Sequence, residues 1–175
     1  MEPNWTPCRV TRHDQGLAGT MELCDAGTCG MCTADIEGSP ILARMTLAAP
    51  QIGRRTTTVE GVAAGNGESH PREAAWGEGR GAQSGCCAPG VISASNALLD
   101  DRLNPTTQEI TQARRGNIGR GSNEEFIINL AHRAGARIRG EACGAPSGGG
   151  RGAGRNAAPM ARPGTGPSGN SEWQS

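Results

Sequence analysis

Lysine and tyrosine are absent from this 175-residue chain, and phenylalanine occurs once, at Phe126. All seventeen cationic side chains are therefore arginine, and seventeen acidic residues balance them to a formal net charge of zero. That balance argues against bulk electrostatic attraction to nucleic acid or to an anionic membrane. Apolar residues make up 35% of the chain and aromatics 2%, so few large side chains are available for a core. A bound metal or a partner subunit is the natural supplement to so thin a core. Long hydrophobic runs are lacking too: no stretch nears the about eighteen apolar residues of a membrane span. Met1–Gln15 carries Pro, Arg, His and Asp without the apolar segment of a secretory signal, so a cytoplasmic protein is expected. No nucleophile–base pair, phosphate loop or carboxylate pair stands out, and no catalytic residue is expected.

What the chain does have is cysteine: Cys8, Cys24, Cys29, Cys32, Cys86, Cys87 and Cys143. An odd number in close clusters fits metal ligation in a reduced compartment better than a disulfide framework. Cys24-x4-Cys29-x2-Cys32 is the loop spacing of a plant-type [2Fe–2S] site, which takes four thiolates. Gly27 and Gly30 let such a loop wrap tightly and aim amide N–H groups at sulfide. A fourth cysteine is missing where that site needs one, which leaves Cys8 and His13 as candidates for a borrowed ligand. Three cysteines and one histidine would also complete a tetrahedral zinc site. Three free thiols are the remaining reading.

The rest of the chain divides by pattern. Ala34 and Ile36 alternate with Asp35 and Glu37, and Gly38-Ser39-Pro40 turns the chain into Ile41-Leu42, which reads as a hairpin. Thr56-Thr57-Thr58-Val59 is a further short strand. Residues 61–69 read as a linker. His70-Pro71 opens a helix weakened by glycines, and Pro89 sits at a helix start with Val91, Ala94 and Leu98 on one face. Thr106-x-x-Glu109 and Ser122-x-x-Glu125 are capping-box patterns. Gly116 and Gly135 are the expected helix stops. From Gly140 onward the composition of Gly, Pro, Ser and Ala predicts a disordered tail.

In this order the parts resemble the small iron–sulfur subunit of the molybdenum hydroxylases: xanthine dehydrogenase, aldehyde oxidoreductase, aerobic CO dehydrogenase and isoquinoline oxidoreductase. The resemblance runs from about Gly16 to Ala136 and is strongest in Gly16–Thr33, Thr57–Val62, Gln83–Ile92 and Asn104–Asn117. It implies two [2Fe–2S] clusters, one in a β-grasp domain and one in a helical domain. They would carry electrons from a molybdopterin-binding large subunit toward a flavin subunit, with molybdopterin and FAD held by those partners. Cys24, Cys29 and Cys32 match three ligands of the first cluster. The fourth belongs with eleven residues between it and Cys32, where the stretch Ala43-Arg44-Met45-Thr46 puts Arg44. A guanidinium offers iron no lone pair. At the second site Gln83-Ser84-Gly85-Cys86-Cys87 and Gly119-Arg120-Gly121 stand for Gln-Cys-Gly-Phe-Cys and Cys-Arg-Cys. Only Cys87 keeps a ligand position there, and Gln83 matches a position near the molybdopterin.

The fold expected is α+β: a truncated ferredoxin-like β-grasp part over 1–60, the 61–69 linker, a small helical-bundle domain over 70–139 and a tail over 140–175. The function expected is electron transfer within a molybdenum-dependent oxidoreductase. A cluster-free structural subunit or remnant, and a small zinc-binding module, are the alternatives.

Overall fold

The computed structural model describes residues 2–62, 71–78, 85–119, 124–141 and 170–172. The chain starts with a helical turn, α1 (Pro7–Arg9), that widens into a π-helical stretch over Val10–Asp14. Thr6 caps it, its hydroxyl accepting from the Arg9 N–H. Among the described residues no strand pair precedes Thr33.

The hairpin forms where the alternation places it, as β1 (Thr33–Ile36) and β2 (Ser39–Leu42), antiparallel with Asp35 opposite Pro40. Its turn is tighter than the sequence suggested. Glu37 (φ 51°) and Gly38 (φ 85°) make the two-residue connection, and Ser39-Pro40 lies inside β2. Proline is tolerated there because β2 is a sheet edge, where a missing N–H breaks no ladder. The strand β3 (Arg55–Thr57) pairs on the other side of β1.

One expectation fails in the tail. Residues 142–169 and 173–175 lie outside the described residues, but Asn170–Glu172 forms β4 against β3, completing the order β2-β1-β3-β4. The outer edge of β3 presents unpaired N–H and C=O groups, which an extended segment of almost any composition can pair with.

Four helices follow: α2 (Pro71–Glu78), α3 (Ala88–Asp101), α4 (Thr107–Ala113) and α5 (Glu124–Ile138). The Thr106/Glu109 capping box forms as read, whereas Ser122 of the second box lies outside the described residues. Trp76, Val91, Ile127 and Leu130 make the helical core, with Ala75, Leu99 and Ala134 beside it. Leu99, rather than the half-buried Leu98, is the fully buried leucine of α3.

Gly135 does not stop α5. It sits mid-helix because an added Cβ would lie 2.5 Å from the Leu103 carbonyl oxygen, so the loop after α3 can approach only a glycine. The helix ends instead at Gly140 (φ 76°). There the Gly140 N–H donates to Arg137 O and the Glu141 N–H to Ala136 O, both at 3.0 Å, in a Schellman motif. The sheet and the helices meet where α3 packs on β1.

Candidate metal centre

The cysteine loop is wound by Gly27 and Gly30, both at φ 70°, and by Asp25 at φ 51°. Cys24 and Cys29 are half-buried and hydrogen-bonded to each other. The Cys29 thiol, with the N–H groups of Ala26 and Cys29, pulls Cys24 down to about 6, while burial pushes Cys29 up. A depressed pKa keeps the thiolate as pH falls. In the metal-free chain iodoacetamide is therefore expected to alkylate Cys24 first. Its rate should be flat above about pH 6 and drop roughly tenfold per pH unit below that. Peptide mapping across pH checks this, and a midpoint near the ordinary thiol value of about 8.5 would refute it.

Cys32 turns the other way, into the small core formed by Cys8, Ala34 and Ala43. A backbone ladder fixes this arrangement. The Ala43 N–H donates to Cys32 O at 3.0 Å, and the Cys8 N–H donates to Ala43 O at 3.1 Å. Cys8 is fully buried, its thiol near Thr20 O (3.9 Å) and Glu22 Oε1 (3.7 Å). Burial first, then the charges of Glu22 and Cys32, push that thiol up to about 12. Arg44, next in chain to Ala43, pairs through Nη1 with Glu22 Oε1 at 2.8 Å and through Nε with Asp25. His13 shares a polar hollow with Arg44, Glu22, Asp25 and Arg9 on that outer side.

Cys24 and Cys29 thus stand together on the loop, and Cys32 shares one buried cluster with Cys8. Among the described residues no three His, Cys, Asp or Glu side chains converge as ligands of one ion. A structural zinc takes four donors around one centre, whereas the two irons of a [2Fe–2S] group share four thiolates.

The second site does not fit its group. Cys87, half-buried at the start of α3, is the one retained donor, and Cys86 beside it is exposed. Gly119, which the resemblance matches to a donor, lies close by: its ideal Cβ would be 3.2 Å from both Cβ and Sγ of Cys87. Glycine supplies no ligand atom. Gln83, Ser84, Arg120 and Gly121 lie outside the described residues.

Sequence reading missed how the two sites are joined. Asn117 Nδ2 donates to Gly30 O (2.7 Å) and Thr33 Oγ1 (3.1 Å), and the Ile118 N–H donates to Cys29 O (2.8 Å). Gly90, in the first turn of α3, comes so close that an added Cβ would lie 2.4 Å from Gly30 O. The dipeptides Pro89-Gly90 and Gly116-Asn117 were the available signal, each lying in a stretch of strong resemblance.

The family comparison falls on the helical half, and the relatives span both halves. Residues 58–131 match the family model described as [2Fe-2S] binding domain. The chain is 37% identical over 119 residues to the nicotinate dehydrogenase small FeS subunit of Eubacterium barkeri, covering 68% of this chain and 75% of that one. It is 36% identical over 128 residues to the xanthine dehydrogenase iron-sulfur-binding subunit of Escherichia coli O157:H7, covering 71% and 79%. Among solved structures, quinoline 2-oxidoreductase from Pseudomonas putida 86 superposes with a TM-score of 0.73 at 30% identity, covering 81% of this chain and 89% of that chain. Aldehyde oxidoreductase from Desulfovibrio gigas gives 0.75 at 29% identity, covering 80% of this chain and 16% of that larger one.

Proposed function

The chain belongs to the family of small [2Fe–2S] iron–sulfur subunits of molybdenum-dependent oxidoreductases, and from that membership we propose that it carries electrons between a molybdopterin-binding subunit and a further acceptor. The observation that carries the reading is the Cys24–Cys32 loop, wound at Gly27 and Gly30 as cluster ligation requires and docked on the helical half through Cys29 O. A [2Fe–2S] group held there supplies one-electron storage.

The chain's own residues do the rest. Cys24, Cys29 and Cys32 hold the group, and Asn117, Gly30 and Gly90 fix the loop against α3. Cys87 remains without donor partners in the described part of the second site, so one cluster per chain is the expected load. The helical half then serves as a docking body for the molybdopterin-binding subunit, Gln83 being the residue that the resemblance matches to a position near the molybdopterin, and a flavin subunit carrying FAD is the acceptor. What supports this is the packing of α3 on β1, which joins the strands to the helices. Among the described residues no helix is long and apolar enough to cross a membrane.

Anaerobic loading of the full chain with iron and sulfide tests this. Two irons and two acid-labile sulfides per chain, a brown colour and a paramagnetic dithionite-reduced state are expected. A colourless chain without iron would overturn the electron-carrier role. Colourless protein carrying one zinc would point to a zinc module instead.

A further inference from the structure

Resting on the electron-carrier reading, we infer that Cys8 supplies the fourth thiolate of the first site, paired with Cys32, in place of the residue at position 44.

Each iron of a [2Fe–2S] group is tetrahedral, with two bridging sulfides and two protein ligands, so its four thiolates come as two pairs. Two pairs are what the fold provides. Cys24 and Cys29 touch on the loop, and Cys8 and Cys32 lie in one buried cluster. The Cys32–Ala43–Cys8 ladder brings Cys8 alongside the residue preceding Arg44, which is where a donor from position 44 would have approached Cys32. Arg44 itself is turned aside, engaged by Glu22 and Asp25.

Cys8 is buried among paired charges, and ligation by iron, not its surroundings, would take the proton from its thiol. Glu22, the carboxylate that faces its sulfur, is held by Arg44, and Arg12 reaches Thr20 O beside it at 2.7 Å. Two guanidinium groups thus stand close to the place where negative charge collects. The π-helical widening that follows α1 begins two residues after Cys8, and such widenings are frequent at functional sites. No electron is exchanged on ligation. Two ferric ions, two sulfides and four thiols give the oxidised group and four protons, which pass to buffer.

The test is anaerobic reconstitution of the full chain with ferric ammonium citrate and sulfide, read as iron, sulfide and visible absorption. Wild type and Cys86→Ala should each hold two irons. Cys8→Ala should lose nearly all of them. Cys8→Ser, offering a harder oxygen, should retain iron with its charge-transfer bands shifted to shorter wavelength. Arg44→Cys in the Cys8→Ala background should regain two irons, showing that the fold survives loss of Cys8.

Wild-type iron and bands in Cys8→Ala would overturn the inference and leave the electron-carrier reading standing. So would a double variant as empty as Cys8→Ala, since Cys8 would then act on folding alone. A wild type that binds no iron would overturn both, whatever the variants do.

Discussion

Gly90→Ala is expected to destabilise the chain by about 3 kcal/mol or more, although alanine is the better helix former by about 1 kcal/mol. Gly90 lies in α3 and would gain from the exchange if space allowed. An added Cβ there, however, meets Gly30 O at 2.4 Å and Met31 Cα at 2.9 Å, both backbone atoms, which no rotamer change can move aside. Relief requires α3 to move off the cysteine loop. That would in turn stretch the bonds from Asn117 to Gly30 and from Ile118 to Cys29.

With a total stability on the order of 5–15 kcal/mol for a domain, such a loss is a large share. At a urea slope of about 1–3 kcal/mol/M, the midpoint should fall by roughly 1–3 M. Gly77→Ala is the internal contrast. It too is a helical glycine, but nothing lies within 4 Å of its added Cβ, so propensity alone acts and the midpoint should rise. Urea melts of both variants check the pair, and a Gly90→Ala midpoint at or above wild type would refute the close-approach account.

The same contact explains what could and could not be read from the chain. The hairpin was legible because alternation at Ala34 and Ile36 and the adjacent Gly38 are local signals of strand and turn. The Thr106/Glu109 box was legible because both partners lie within one helical turn. Gly135 was misread as a helix stop because its reason lies outside its own helix, in the Leu103 carbonyl. Asn117 lies eighty-seven residues from the Gly30 oxygen it satisfies, a separation over which no periodicity carries information. At the candidate site the loop cysteines were legible by spacing. The place of Cys8 was not, since it depends on a ladder through Ala43 that only the folded hairpin creates.

That Cys87 and Gly119 lie side by side leads to the other large effect. Restoring Ser84→Cys, Gly119→Cys and Gly121→Cys together is expected to raise the iron content by two per chain, with two further sulfides. The frame for it persists because the segment carrying Gly119 is held by contacts that owe nothing to iron. Asn117 and Ile118 bond to the cysteine loop, and this leaves Gly119 with its Cβ direction 3.2 Å from Cys87 Sγ. Cys87 is already fixed at the start of α3. By the resemblance three donors are replaced, and four thiolates are the full requirement. Gly119→Cys alone leaves two donors short and should add no iron. Reconstitution of the triple variant, read as iron, sulfide and a second paramagnetic signal on reduction, decides it. A triple variant that stays at the wild-type iron content would mean that the helical half has lost the frame as well as the ligands.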